Sequence, residues 1–284
     1  MINKNCLIEG ECIVTIGQFL AQHNKDILKK DLYLILDKIE GIDKLTALTQ
    51  PNTELKKCEL LQSIVSEHKK GKPIEYLLNT GFFMGMEFYV DENVLIPRED
   101  TECLIEEILT YNKQTQINSL LDMCSGSGCI AISLKKLCMP QTVEVTAVDI
   151  SEQAVEIIKK NANLLGANEI KIVCSDLFAQ LNTKYDVIVS NPPYIATEII
   201  KTLEPNVKDY EPMLALDGGT DGLDFYRKLA GESKAYLNEG GTVFLEIGYD
   251  QGQSVKSLFE QAGYKNVSVK QDYAGLDRII IAKS

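Results

Sequence analysis

The sequence of 284 residues has no tryptophan, only two histidines, and fewer basic than acidic side chains, 29 against 41. The formal net charge of −12 argues against a protein that binds along a nucleic-acid backbone, because such binding relies on clustered lysine and arginine. No apolar run approaches the ~20 residues of a membrane-spanning helix. The N-terminus also lacks a basic start followed by a long apolar core, the pattern of an export signal. We therefore expect a cytoplasmic protein that contacts neither membrane nor nucleic acid directly. We also expect a monomer, although these features do not report the oligomeric state.

The cysteine pattern offers no metal site. Eight cysteines are present, but none forms a Cys-x-x-Cys pair, and the only histidines are His23 and His68. A metal ion needs several ligands that converge, and these spacings do not provide them. We interpret the cysteines as small buried apolar residues in a reducing compartment and expect no bound metal.

The first part of the chain has the pattern of a small helical bundle. From about Thr15 to Lys70, apolar residues recur at three- and four-residue intervals. We assign residues 1–80 to an N-terminal helical domain. Alternating aromatic residues then predict a β-hairpin linker over residues 81–100, in which Asp91–Asn93 supply the turn.

The remaining residues, 101–284, alternate between strand and helix patterns. Seven apolar segments have the length and composition of strands, and amphipathic segments separate several of them. This alternation predicts an α/β fold with a seven-stranded, mostly parallel sheet that carries helices on both faces. In such sheets ligands bind beyond the carboxyl ends of the strands, so the residues that follow each strand are the candidates for function.

The ends of the first three strands predict a site for a nucleoside. The loop Cys124–Gly128 precedes a helix, and its glycines allow the backbone and the free N–H groups of the helix start to approach a ligand. Asp149 ends the second strand about 23 residues after Gly126, the offset at which a carboxylate accepts hydrogen bonds from the hydroxyls of a ribose. Asp176 follows the third strand, within reach of an adenine amino group. The alternative is a glycine turn that binds nothing.

The fourth strand ends in an unusual tetrapeptide, Asn191-Pro192-Pro193-Tyr194. Pro192 holds Asn191 in an extended conformation, and Pro193 stiffens the next step. We interpret the segment as a rigid ledge on which the Asn191 side-chain oxygen and the Pro192 carbonyl are two acceptors, with Tyr194 as a flat apolar wall. Two acceptors at fixed spacing fit a planar –NH2 group. An ordinary proline turn is the alternative.

Such a ledge suits methyl transfer to an amide or nucleobase nitrogen. That nitrogen is a weak nucleophile because its lone pair is delocalised. Holding both of its N–H bonds orients it and stabilises the positive charge that develops as a methyl group arrives. No general base is evident, so we infer that the proton leaves after the transfer.

These residues resemble the S-adenosylmethionine-dependent amino-methyltransferases, and specifically the release factor glutamine methyltransferases. The tetrapeptide alone is shared with adenine and cytosine methyltransferases, whereas its combination with "IPREDTE" and "EPMLALDGGTDGL" is highly specific. The resemblance covers nearly the whole chain and lies in "GKPIEYLL", "VLIPREDTE", "LLDMCSGSGCIAI", "VDIS", "SDLF", "VSNPPYI", "YEPMLALDGGTDGLDFY", "LEIGYDQG" and "DYAGLDRIIIAK".

The resemblance implies a Rossmann-like methyltransferase domain. Its activity would be methylation of the side-chain amide nitrogen of the glutamine in the Gly-Gly-Gln loop of peptide chain release factors, with S-adenosylmethionine converted to S-adenosylhomocysteine. The helical domain would help to hold the release factor, and Pro97–Glu102 would close over the methionine end of the cofactor.

The same resemblance, together with the strand ends, assigns the site residues. The cofactor-binding residues are Cys124, Ser125, Gly126, Ser127, Gly128, Asp149, Asp176, Leu177 and Asn191. The substrate-binding residues are Asn191, Pro192, Pro193 and Tyr194, and of these Asn191, Pro192 and Tyr194 are the catalytic residues. Family members usually have glycine in place of Cys124 and often tryptophan in place of Leu177, differences that concern cofactor affinity more than activity.

Four other functions fit parts of the pattern. The acceptor could be a glutamine of a large-subunit ribosomal protein, or a nucleobase amino group, which the acidic composition disfavours. A non-catalytic cofactor- or partner-binding module is a further alternative, although such a module has no need of the intact ledge. An NAD-dependent oxidoreductase would share the glycine loop, but no histidine or Tyr-x-x-x-Lys run supplies its proton relay.

Overall fold

The computed structural model describes residues 14–137 and 142–284, so Cys6, Cys12 and Cys138 lie outside the described residues. The chain divides into two compact units between Leu78 and Asn79. Of the cysteines that are described, Cys103 and Cys129 are buried, as expected, whereas Cys58 and Cys124 are only partly buried. Cys174 is exposed, so the interpretation of every cysteine as a buried apolar residue is wrong at this position.

The first unit is helical. Its helices bury one apolar stripe each, as Leu32, Ile35 and Leu36 do on the second helix, and these stripes form a common core. Thr15 caps the first helix reciprocally: its hydroxyl accepts from the Gln18 N–H, and the Gln18 side chain accepts from the Thr15 N–H. The helices are α1 (Ile16–His23), α2 (Lys29–Glu40), α3 (Lys44–Thr49), α4 (Cys58–Lys69) and α5 (Ile74–Leu78).

The predicted hairpin is present, but its turn lies earlier than expected. Strand β1 (Gly81–Phe83) pairs antiparallel with β2 (Met86–Phe88). Met84 and Gly85, both with positive φ, form the turn, as in the favoured two-residue hairpins. The prediction that Asp91–Asn93 supply the turn is therefore wrong.

The second unit contains the predicted seven-stranded sheet. Its strands, in chain order, are β3 (Ser119–Met123), β4 (Glu144–Asp149), β5 (Lys171–Cys174), β6 (Tyr185–Ser190), β7 (Leu237–Glu246), β8 (Lys265–Gln271) and β9 (Asp277–Lys283). The spatial order is β5-β4-β3-β6-β7-β9-β8. Strands β3 to β7 are parallel, and β9 runs antiparallel to both of its neighbours. The α/β prediction is confirmed.

Helices cover both faces of this sheet, because successive strand residues point to opposite sides. Val187 belongs to the core on one face with residues of α6, α7 and α8, and Ile188 belongs to the core on the other face with residues of α11 and α12. The helices of this unit are α6 (Glu102–Asn112), α7 (Cys129–Leu137), α8 (Glu152–Leu165), α9 (Thr197–Ile200), α10 (Pro205–Lys208), α11 (Asp224–Glu232) and α12 (Gly252–Gln261).

Several elements differ from the sequence-based expectation. Helices α6, α9 and α10 were not predicted. The amphipathic pattern predicts a helix over Leu223–Leu237, but α11 ends at Glu232, because a 3₁₀ turn, Ser233–Tyr236, leads directly into β7. Strand β7 thereby begins four residues before Gly241, where the apolar pattern of the sequence places its start.

The strand order fixes the position of a ligand site. The chain runs outward from β3 to β4 and β5 and then returns to the other side of β3 as β6. The connections that leave the carboxyl ends of β3 and β6 therefore run in opposite directions. Such a topological switch point is where α/β sheets bind ligands.

Candidate active site

A cavity of about 370 Å³ opens at the carboxyl ends of β3, β4 and β6. It has the size of a small-molecule site. The predicted site residues that line it are Cys124, Ser125, Gly126, Ser127, Asp149, Asp176, Leu177, Asn191 and Pro193. The remaining three, Gly128, Pro192 and Tyr194, are not among its lining residues. A side chain at Gly128 would lie 3.0 Å from Ile158, so this glycine serves the packing of the helices beneath the loop.

The loop after β3 is fixed by a serine. Ser125 Oγ donates to the Asp122 carbonyl at 2.8 Å and accepts from the Val148 N–H at 3.0 Å, which joins the loop to β4. Cys124 at the start of the loop has φ of +60°. This conformation costs a residue with a Cβ on the order of 1 kcal/mol, which explains why glycine is the usual residue of similar loops. Burial raises the pKa of the Cys124 thiol, so it stays protonated.

Asp149 links the loop to the start of α8. One carboxylate oxygen accepts from the Gly126 N–H at 2.8 Å, and the other accepts from the Ser151 N–H at 2.9 Å. Burial raises the pKa of Asp149, and these backbone hydrogen bonds oppose that shift. Each oxygen retains a second lone pair that can accept from a ligand hydroxyl.

Two buried polar side chains below the cavity were not predicted. Asp122, on β3, accepts from the Ala131 N–H at 3.1 Å near the start of α7, and burial raises its pKa to about 7. Asn161, on α8, accepts from the Tyr89 N–H at 2.7 Å and donates to the Tyr89 and Ser127 carbonyls at 2.9 Å. Asn161 thus ties the glycine loop to the segment after β2, in which Glu92, Asn93 and Val94 line the cavity.

The ledge at the end of β6 is supported from behind by main-chain atoms. A side chain at Gly218 would lie 2.8 Å from the Tyr194 Cα, and one at Gly222 would lie 2.4 Å from the Tyr194 carbonyl oxygen. Only glycine permits this approach. Gln251 also donates to the Tyr194 carbonyl at 2.9 Å. The "GGTDG" and "YDQG" segments therefore hold the backbone of the ledge in place.

The side chain of Asn191 is held by a buried hydrogen-bonded chain. Its Nδ2 donates to Thr101 Oγ1 at 3.1 Å, and Thr101 Oγ1 donates to Glu246 Oε2 at 2.5 Å. The Tyr194 hydroxyl lies 3.4 Å from the other oxygen of Glu246 and donates to it. Burial raises the pKa of Glu246 to about 7 and raises that of Tyr194 above its usual range. Thr101 and Glu246 occur in "PREDTE" and "LEIG", but nothing in their spacing connects them.

An arginine from the last strand reaches the same region. Arg278 lies 3.1 Å from the carboxylates of both Asp100 and Asp272. It is nearly buried, and the nearby carboxylates raise its pKa against the opposing effect of burial. Arg98 pairs with the buried carboxylate of Glu211. Residues around "PRED" are thus tied to two other parts of the second unit.

Within residues 14–137 and 142–284, no group of three His, Cys, Asp or Glu side chains is placed to hold a metal ion. The helices of the same residues include none with the length and apolarity that a bilayer crossing requires.

The sheet order and the cleft at its switch point are those of the Rossmann-like methyltransferase fold. A family model described as "Methyltransferase small domain" matches residues 99–206. A methyltransferase of Pyrococcus furiosus has the same fold, with a TM-score of 0.50 and 18% identity over 78% of this chain and 96% of that chain.

Curated relatives match almost the full length. The release factor glutamine methyltransferase of Clostridium acetobutylicum is 35% identical over 96% of this chain and 97% of its own length. That of Clostridium botulinum is 37% identical over 100% of this chain and 99% of its own length. The chain belongs to the release factor glutamine methyltransferase family.

Proposed function

We propose that the chain methylates the side-chain amide nitrogen of the glutamine in the Gly-Gly-Gln motif of peptide chain release factors, with S-adenosylmethionine as the methyl donor. The observation that carries this proposal is the orientation of Asn191. Its nitrogen end is bound to Thr101, so its oxygen is the end available to a ligand in the cavity that Asn191 lines. An acceptor in that position requires a donor such as an amide –NH2 group.

The cavity fits S-adenosylmethionine. The position above Gly126 is open, since a Cβ built there meets no atom within 4 Å, so the loop can lie against a ligand. Asp149 would accept from the ribose hydroxyls, Asp176 from the adenine amino group, and the buried Leu177 would pack on the adenine. Pro97 and the neighbouring "REDTE" residues would enclose the methionine end. S-adenosylmethionine supplies an electrophilic methyl group when it is bound.

The ledge would hold the acceptor nitrogen. Asn191 Oδ1 and the Pro192 carbonyl accept one N–H each, and among the described residues none donates a hydrogen bond to either atom. Tyr194 packs beside the ledge, and burial keeps its phenol protonated. Two fixed acceptors would stabilise the charge that grows on the amide nitrogen as it takes the methyl group, with S-adenosylhomocysteine as the leaving group. The nitrogen, now acidic, would then release its proton to water.

The acceptor is tested with purified release factor and labelled S-adenosylmethionine. We expect one labelled methyl group on the Gly-Gly-Gln glutamine, located by mass spectrometry, and no label on a release factor in which that glutamine is replaced by alanine. A purified ribosome and total RNA serve as competing acceptors. Label that appears equally on the glutamine-free release factor, or only on a ribosomal protein or RNA, contradicts the proposal.

We also propose that the N-terminal helical unit recognises the release factor. Leu45 and Leu48 on α3 are 70% and 57% exposed, and exposed apolar groups of this kind mark protein contacts. We expect the double substitution Leu45→Ser and Leu48→Ser to raise the KM for intact release factor about tenfold without changing the affinity for the cofactor. Unchanged KM in steady-state assays would contradict this role.

A further inference from the structure

The structure assigns Glu246 and Thr101 a role in the reaction: together they set the direction of the hydrogen bonds that make Asn191 an acceptor. This inference rests on the proposed function, because it concerns how the ledge is prepared for an amide –NH2 group. Both act through Asn191 and are positioning residues.

The direction follows from the number of protons in the chain. Thr101 Oγ1 carries one proton and lies 2.5 Å from Glu246 Oε2 and 3.1 Å from the Asn191 amide. An ionised carboxylate only accepts, so the Thr101 proton is used in the bond to Glu246. The Thr101 oxygen can then only accept from Asn191, which must turn its –NH2 end toward Thr101. In the opposite orientation, Asn191 Oδ1 would face Thr101 Oγ1 with no proton between the two oxygens.

The position of Glu246 supports this role. Ser190 on β6 pairs with Leu245 on β7, so Asn191 and Glu246 follow paired positions on neighbouring parallel strands. Glu246 is 1% exposed and Thr101 is 2% exposed. Burying a carboxyl group costs free energy, and burial without full pairing does not stabilise a fold. A buried carboxyl that is joined to the ledge at both ends, to Asn191 through Thr101 and to Tyr194 directly, is better explained by function.

The groups around Glu246 set its pKa so that the protonated and the ionised carboxyl are similarly populated at neutral pH. Burial raises its pKa to about 7, and Asp100 acts in the same direction, whereas Arg278 on β9 and the hydrogen bonds from Thr101 and Tyr194 lower it. Two further titratable groups face it: Cys129 on α7 lies within electrostatic range, and the Tyr226 hydroxyl on α11 donates to the Glu246 backbone carbonyl at 2.8 Å.

The charge on Glu246 decides whether the hydrogen bonds from Asn191 through Thr101 keep this direction. Above its pKa the carboxylate accepts from Thr101, and Asn191 is held with its oxygen toward the ligand. Below its pKa the protonated carboxyl can itself donate to Thr101, whose proton is then free to point at Asn191. The amide loses its preferred orientation. The rate of methyl transfer should therefore rise as the pH increases through the pKa of Glu246, and fall below it.

Glu246→Gln tests the hydrogen-bonded chain at its end, and Thr101→Val tests it at its middle. An amide at 246 can donate or accept, and valine removes the hydroxyl. We expect each variant to lower kcat at least tenfold. Glu246 does not line the cavity, so Glu246→Gln should change the Kd for S-adenosylmethionine less than twofold by calorimetry. The acid limb of the kcat profile between pH 5.5 and 8.5 should disappear in Glu246→Gln. The double variant should lose little more than either single variant, because both break one chain.

Two comparison variants separate this role from a structural one. Thr101→Ser keeps the hydroxyl and should restore the acid limb and most of the kcat that Thr101→Val loses. Glu239→Gln makes the same change of charge on an exposed residue of β7 and should leave kcat and the pH profile unchanged. If one test variant does not fold, the other still decides, because both interrupt the same chain.

These experiments distinguish failure of the positioning role from failure of the proposed function. Wild-type kcat and an unchanged pH profile in a folded Glu246→Gln or Thr101→Val overturn the inference, while the glutamine of the release factor remains methylated. If the wild-type protein places no methyl group on that glutamine, the proposed function fails instead.

Discussion

Asn191→Ala is expected to lower kcat for methyl transfer by roughly 10²- to 10³-fold, the usual cost of removing one preorganised group that stabilises transition-state charge. The acceptor amide would keep the Pro192 carbonyl but lose the side-chain oxygen, so its nitrogen would be neither oriented nor fully stabilised. The cofactor depends mainly on other residues of the cavity, and its Kd should change less than fivefold. Labelled-methyl assays at saturating cofactor, with calorimetry of S-adenosylmethionine, measure the two quantities separately.

Two controls accompany this variant. Asn163→Ala removes an exposed asparagine from α8 and should have wild-type kinetics. Asn191→Asp keeps the acceptor oxygens but offers Thr101 no N–H, so we expect it to be impaired as well. Undiminished turnover by Asn191→Ala would show that the ledge does not grip the amide.

Asp149→Ala is expected to weaken the binding of S-adenosylmethionine by about 10²-fold or more. Hydrogen bonds from two ribose hydroxyls to a carboxylate contribute about 3 kcal/mol together. The same carboxylate holds the Gly126 N–H at 2.8 Å, so its loss also loosens the loop against which the ligand lies. Calorimetry gives the Kd, and Asp149→Asn, which keeps one acceptor oxygen, should fall between the wild type and alanine.

A cofactor analogue without the ribose 2′-hydroxyl separates the two effects of Asp149. If the carboxylate binds that hydroxyl, the analogue should lose affinity for the wild type but little further affinity for Asp149→Ala, so that the two changes are not additive. Additive losses would place the ribose elsewhere in the cavity. Circular dichroism of the variant checks that the sheet is intact.

The sequence predicts the parts of this site in which a polar residue stands at the end of a recognisable strand. Asp149 and Asn191 each end a parallel strand, and strand ends meet at one edge of a sheet, so their proximity follows from the pattern alone. The strands were predictable because most of them contain a short apolar run bounded by turn residues, whereas in β8 Val267 and Val269 alternate with polar residues. The ledge was visible because prolines restrict the backbone wherever they occur.

What the sequence conceals is contact between residues that are far apart along the chain. Thr101 and Glu246 are separated by 145 positions, and their hydrogen bond depends on how the segment before α6 lies against β7. Asp122 and Asn161 have ordinary surroundings in the sequence, and only burial shows their importance. The hairpin turn was misplaced because Asp91–Asn93 have typical turn composition, whereas Met84-Gly85 forms the turn.

The glycines behind Tyr194 have a consequence for attempts to change the acceptor. Backbone packs on backbone there, so no side-chain replacement can move the gripping surface back to admit a bulkier group. Redesign would have to work from other residues that line the cavity, such as Pro212, Leu214 and Ala215, where the 3₁₀ turn Met213–Ala215 is more than half exposed at Leu214. Under the proposed function, selectivity for a slender acceptor would thus be built into the scaffold, and breadth could be engineered only away from the ledge.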